Sequence, residues 1–329
     1  MPAGAAQPDA NAGVTRRGLA TVSAGLVGLC LAAALPLLSA AAPAETESAA
    51  ILGTRPGYGP AAVSAPPNGA EITRRIWMPG LDEGYNAQGL AVAGGSILVA
   101  AYRSDSPDVR RGPCRVYRVD PVTGVATGQI DVPPPCGHAG GLAVAGNGGL
   151  YVADTRTLFA ADLAGIFDGP PPRFRAIPLG PGVTGGLAVS GRDAIWLGTY
   201  REDGPGRLYR FPTAVLDRLP EGVALNISDA AAQIAIPSHA QGAAIDAGGR
   251  LWVARSTLRW GELDRLDAAT GRVEREYQAP PGIEGIAFDA AGRLWAVSEA
   301  GARHYYDSWR GLVLSFYPLI VAIEPERLQ

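Results

Sequence analysis

From about residue 71 onward, short apolar runs alternate with turns rich in glycine and proline, and the alternation repeats. Five stretches share it: "QGLAVAGGSILVAAY" (88–102), "GGLAVAGNGGLYVAD" (140–154), "GGLAVSGRDAIWLGTY" (185–200), "QGAAIDAGGRLWVAR" (241–255) and "EGIAFDAAGRLWAVSE" (284–299). Each reads as a strand, a tight turn and a second strand. The glycines that open the copies, Gly89, Gly141, Gly186, Gly242 and Gly285, are 52, 45, 56 and 43 residues apart. A third apolar run follows each copy: "CRVYRVDP", "TLFAADL", "GRLYRFP", "GELDRLDA" and "PLIVAIEP". Asp-x-x-Thr-Gly turns at Asp120–Gly124 and Asp267–Gly271 suit hairpins into a fourth strand. The fourth runs, "GQIDVPP", "FRAIPLG", "AQIAIPS" and "EREYQAPP", stop at proline, which cannot donate to the ladder.

Repeated units of four antiparallel strands are β-propeller blades. The expected fold is all-β, a single propeller over residues 71–329 with five four-stranded blades. The last copy shows no fourth run, whereas "RRIWMPG" (74–80) stands unused before the first copy. That N-terminal strand is expected to close the last blade and leave no open sheet edge. The alternative is six blades, with one more hidden in "TAVLDRLPEGVALNISD" (213–229), a stretch with a helix-like patch and no first-strand signature.

The first 70 residues break this pattern. Arg16-Arg17 precede a Gly/Ala-rich apolar stretch, and Ala42-Pro43-Ala44 is a small-x-small cleavage motif. Residues 1–44 therefore read as a twin-arginine export signal, with a retained anchor as the alternative. Leu29 before Cys30 argues against a lipoprotein signal. Residues 45–70, rich in Ala, Pro and Gly, read as a flexible lead-in. The protein is expected to be extracytoplasmic, an oxidising setting that favours disulfides, so Cys114 and Cys136 are expected to form a disulfide across the first blade. The net charge of −3 implies no nucleic-acid partner. Every basic residue apart from histidine is arginine, which removes Schiff-base chemistry and points to a GC-rich bacterium. The expected state is a monomer, with no stable membrane insertion once the signal is removed.

In a propeller the connections entering the first strand and leaving the second lie on one face, around a central funnel. Residues before the repeat glycine supply Asn86, Gln88, His138, His239, Gln241 and Glu284. Ends of second strands supply Tyr102, Arg103, Asp154, Tyr200, Arg201, Arg255 and Glu299. His138 and His239 stand in the same frame, "HAGG" and "HAQG", among only three histidines. With Glu284 they make a candidate ligand set for one divalent metal, or acid–base groups for neutral pH. The plainer alternative has the histidines as turn residues, and Asp154 and Glu299 paired with the nearby arginines. His304, in "GARHYYDSW", reads as part of a lid or of a packed aromatic cap. No nucleophile elbow and no phosphate-cradling loop is present.

"GIEGIAFDAAGRLWAVSE" and "QGAAIDAGGRLWVARS" resemble blades of NHL-repeat propellers, the gluconolactonase/regucalcin family and streptogramin lyases. The resemblance spans residues 74–328 and implies the fold. It also implies a funnel metal held by acidic and amide side chains, with a histidine base in the lyases. Glu284 matches the Glu-Gly at the start of an inner strand there, and His239 resembles a turn histidine. Those enzymes have six or seven blades, which sets this chain apart. The order of motifs also resembles secreted actinobacterial propellers. Two functions follow as expectations. One is an exported propeller that binds a small molecule or cell-surface partner in its funnel. The other is a metal-assisted lactonase, hydrolase or lyase using His138, His239 and Glu284.

Overall fold

A computed structural model describes residues 50–104, 112–309 and 315–329. The expected export signal lies outside the described residues. Among the described residues twenty strands follow one another, with two short α-helices. β1 (Ile72–Trp77) precedes blade one, which is β2 (Tyr85–Ala93), β3 (Ser96–Arg103), β4 (Cys114–Val119) and β5 (Ala126–Val132). Blade two is β6 (Gly141–Val144), β7 (Gly149–Ala153), β8 (Thr157–Asp162) and β9 (Arg175–Pro178). Blade three is β10 (Leu187–Val189), β11 (Ala194–Gly198), β12 (Gly206–Pro212) and β13 (Ala232–Ile236). Blade four is β14 (Ala240–Ile245), β15 (Leu251–Thr257), β16 (Trp260–Leu266) and β17 (Val273–Ala279). Blade five holds β18 (Ile283–Phe288), β19 (Leu294–Ser298) and β20 (Leu319–Ile323).

β1 supplies the fourth strand of blade five, pairing antiparallel with β20 from Ile72–Ile323 to Trp77–Leu319. The ring is thus closed by the N-terminal strand, and the blades number five. Where a sixth blade would have stood, Thr213–Arg218 forms helix α1. Helix α2 (Arg303–Trp309) interrupts the β19–β20 connection.

Burial falls from the axis outward, as the sequence dictates. β19 and β20 are buried at every position, whereas β5 and β17 are exposed at most positions. The innermost strands carry alanine where the blades crowd together, and Ala91, Ala143 and Ala188 are buried. On the face opposite the funnel, Val92, Val144, Val189, Ile245 and Phe288 ring the axis, one from each inner strand.

Two local devices account for the sequence signature. In "DAGGRLW" and "DAAGRLW", the aspartate closes the hairpin and anchors the strand that follows. Asp246 accepts from the backbone of Gly248 and Arg250, from Arg250 Nε at 2.7 Å and from Trp252 Nε1 at 3.0 Å. Asp289 repeats this with Ala291, Arg293 and Trp295, the last two at 2.8 and 2.9 Å. Asp120 and Asp267 cap their turns through Val122 and Thr270. Cys114, first in β4, is bridged to Cys136 just past β5, with Cα atoms 5.8 Å apart. Closing a loop of this length is worth about 3 kcal/mol.

The stretch read as a flexible lead-in makes specific contacts in its described part. Leu52 bridges Ile76 of β1, Ser64 donates to the Phe316 carbonyl, and the Tyr58 ring lies 5.6 Å from that of Tyr306.

The inner strands approach so closely that four of the five repeat glycines, Gly89, Gly141, Gly242 and Gly285, admit no side chain. A Cβ on Gly89 would strike the Leu142 backbone of blade two, and one on Gly285 would strike Leu90 of blade one. Gly285→Ala is expected to cost about 1–3 kcal/mol or more, read as a lowered urea midpoint at unchanged slope. Stability equal to that of the native protein would show that the seam has room.

Candidate functional site

The residue before each repeat glycine cannot turn into the seam, so it turns to the axis. In blades one, four and five that residue is long and polar: Gln88, Gln241 and Glu284. In all three blades a β-bulge falls there, with the register slipping between Ala87 and Leu90, Ala240 and Gly242, and Ile283 and Ile286. A bulge re-aims a side chain, and these three line one cavity. Blades two and three carry Gly140 and Gly185 instead, which leaves space on their side. The cavity has a volume of about 390 Å³, and Thr155, Thr184, His138 and Tyr200 complete its wall on that side. It is at the small end of pockets that hold small ligands, about 300–1,000 Å³.

Glu284 and Glu299 meet in this wall. They start β18 and follow β19, so they are neighbours across one hairpin, and they are only 2% and 7% exposed. Their carboxyl groups hydrogen-bond to each other. Gln88 Nε2 donates to Glu299 Oε2 at 2.8 Å, and the Tyr305 hydroxyl donates to Glu299 as well. Tyr305 comes from α2 and is hydrogen-bonded in turn to Tyr102. Burial drives the Glu284 carboxyl well above the ordinary range, and the neighbouring Glu299 adds to this. Burial also raises Glu299, to about 7, against the lowering effect of Tyr305, Gln88 and Glu284. Two carboxyls this close hold one proton between them near neutral pH. Glu284 Oε1 has no hydrogen-bond partner.

The other candidates have different positions. Asn86 is fully buried opposite Tyr102 in the β2–β3 ladder, and Tyr102 is 2% exposed. Among the described residues Asp154 has no arginine partner; its Oδ1 accepts the backbone N–H of His138 at 2.7 Å and of Ala139 at 3.1 Å. Glu299 likewise takes Glu284, Gln88 and Tyr305 as partners in place of an arginine. Arg103 and Arg201 are exposed at strand ends. Arg255 holds the Ser238 carbonyl at 3.0 Å, Glu262 at 2.7 Å and Asp264 at 3.2 Å. It therefore anchors the turn that carries His239.

The two histidines differ despite their shared frame. In blade two the left-handed residue is Ala139 (φ 52), and His138 faces the cavity. In blade four the left-handed residue is His239 itself (φ 58), one position earlier. Its ring turns to the rim, 6.1 Å from Tyr200 and 5.5 Å from Trp260. His138, His239 and Glu284 consequently do not gather their donor atoms as one ligand set. Among the described residues the single such cluster is Cys114, Cys136 and Asp154, where the disulfide occupies both sulfurs. His304 is packed, 6% exposed, with Nδ1 2.9 Å from Ser104 Oγ. Tyr305 and Thr184 are the wall residues that the motif reading left out of the funnel. The aromatic run His304-Tyr305-Tyr306 between two strands was the available signal for the first.

Neither a protein-family model nor a curated protein sequence matches the chain. Among solved structures, it is similar to a glutaminyl cyclase from Myxococcus xanthus, at a TM-score of 0.50 and 14% identity, over 77% of this chain and 94% of that one. A calcium-binding regucalcin from Agrobacterium tumefaciens is similar at a TM-score of 0.40 and 18% identity, again over 77% and 94%. These are likenesses of fold.

The carboxyl pair sets a stability signature. Glu299 is raised, so its stabilising contribution is full below the unfolded value of about 4.3 and is lost as pH rises through about 7. Glu299→Gln is expected to gain stability on native protein between about pH 5 and pH 8, by on the order of 1–3 kcal/mol. Paired urea melts at the two pH values measure this. A difference independent of pH would mean that Glu299 ionises normally.

Proposed function

We propose that this protein binds a small molecule in its funnel outside the cytoplasm and transfers a proton to or from it through Glu284 and Glu299. The observation that carries this reading is the buried, mutually bonded carboxyl pair in the wall of the cavity. A general acid–base group works best with a pKa near the operating pH, and the burial of this pair supplies that. Structural economy gives no reason for it, since the pair opposes folding at neutral pH. Gln88 and Tyr305 orient Glu299, and Glu284 beside it lines the cavity as the carboxyl that a ligand would meet. The disulfide and the absence of a membrane-crossing helix among the described residues are compatible with an extracytoplasmic site.

Direct titration tests the proton. In protein labelled with ¹³C at the glutamate side chains, two carboxyl signals are expected to titrate above the ordinary range, one near 7. In Glu299→Gln the remaining Glu284 signal is expected to move down, because its charged neighbour is gone. If every glutamate titrates below about 5, the reading fails. Turnover is sought with lactones and, given the fold shared with a glutaminyl cyclase, with N-terminal glutaminyl peptides. Any activity is expected to fall about 100-fold or more in Glu299→Gln and to change with an inflection near pH 7.

A further inference from the structure

The charge and hydrogen-bonding balance of the cavity goes further than proton transfer and indicates what the ligand carries. Glu284 is 2% exposed, yet its Oε1 has no partner. Leaving a buried acceptor unsatisfied costs free energy, and a ligand that donates to the carboxyl it belongs to offsets that cost. The remaining polar atoms of the pair are engaged with each other, with Gln88 and with Tyr305. No arginine lines the cavity among the described residues, and the chain has no lysine. Among the described residues His138 is the only basic side chain in the wall, and its ring lies 5.4 Å from that of Tyr102. Tyr200 and Tyr305 add aromatic rings to the same wall, and such rings attract cations.

We propose that the funnel selects a ligand bearing an organic ammonium group, seated with its N–H donors on the Glu284 carboxyl. This rests on the funnel being a small-molecule site. Among the described residues, an anionic ligand would meet the two carboxyls with no arginine beside them. Among the described residues, no three His, Cys, Asp or Glu side chains gather their donor atoms at the cavity as a divalent metal site would. An ammonium group needs one strong acceptor and tolerates aromatic neighbours. It also takes over the role of the shared proton, leaving the pair with a single net negative charge when both carboxyls ionise. The groups that face Glu284 and shape this exchange are Glu299, Tyr102, Tyr200 and Tyr305.

Matched probes test it. Benzylamine, benzyl alcohol and benzoate differ chiefly in the charge and hydrogen-bonding of one head group. At about pH 8, NMR titration of the native protein is expected to show benzylamine bound about tenfold or more tighter than benzyl alcohol, with benzoate weakest. The Glu284 side-chain ¹³C signal is expected to move with benzylamine. In Glu284→Gln the preference for amine over alcohol is expected to shrink to about twofold. Benzoate binding as tightly as benzylamine overturns the proposal. So does an unmoved Glu284 signal, or calcium or zinc chloride shifting that signal when benzylamine does not. The ¹³C measurement on native protein keeps the test decisive if the variant does not fold. Normal glutamate titration with the amine preference intact would sink proton transfer alone. A raised titration without that preference would sink this inference alone.

Discussion

Five inner strands meet at the axis with room for backbone only, and that close approach sets the positions of nearly everything else. Gly89 lies against blade two, Gly141 against blade three, Gly242 against the Glu284 carbonyl and Gly285 against blade one. No residue with a Cβ fits at these points, so the repeat is held in register by its glycines. The preceding residue must then face the axis. Where that residue is long, the strand takes up the extra length as a bulge. Where it is a second glycine, the axis is left open. The cavity is the difference between those two choices around one ring.

The same chain handles carboxylates in two contrasting ways. Asp246 and Asp289 are nearly buried, and burial alone would raise them, but Trp, Arg and backbone donors hold both below the ordinary range. Each is a structural clamp with its acceptors filled. Glu284 and Glu299 are more deeply buried and receive fewer donors, and they face each other. A protein able to satisfy its aspartates so fully has kept a strained, proton-holding pair where a small molecule fits. That contrast, more than any motif, separates the site from the scaffold.

Most of the fold was legible in the sequence, because blade geometry writes itself into glycine spacing and strand-ending prolines. Closure by the N-terminal strand followed from a missing fourth run, and the disulfide followed from the two remaining cysteines. The site was legible only in part. Gln88, Gln241 and Glu284 could be placed at the axis by counting back from the glycines. The Glu284–Glu299 contact was within reach too, since one begins the first strand and the other ends the second strand of one hairpin. It was obscured by the general expectation that carboxylates near arginines pair with them. The histidines show a harder limit. "HAGG" and "HAQG" look equivalent, but the left-handed residue sits one place earlier in blade four, and that shift sends one imidazole to the cavity and the other to the rim. A shift of φ from one residue to its neighbour leaves no trace in such a short motif.

Blade five carries a disproportionate share of the chemistry, and it is also the blade assembled from both regions of the chain. Glu284 and Glu299 come from its first hairpin, and Tyr305 comes from α2 between its second and third strands. Its outer strand, β1, arrives from the N-terminal side. The segment before β1 continues onto α2: Tyr58 donates to the Gly301 carbonyl, and its ring lies against Tyr306 and Phe316. Arg303 of α2 reaches the Asp82 carbonyl, and His304 meets Ser104, both in or beside blade one. The helix that presents Tyr305 to Glu299 is therefore held from two sides by segments that the repeat itself does not contain. The repeat builds a five-fold ring, and these added contacts make one blade of it different. A site needs that asymmetry, because five identical blades would place five identical side chains at the axis and no distinct pair.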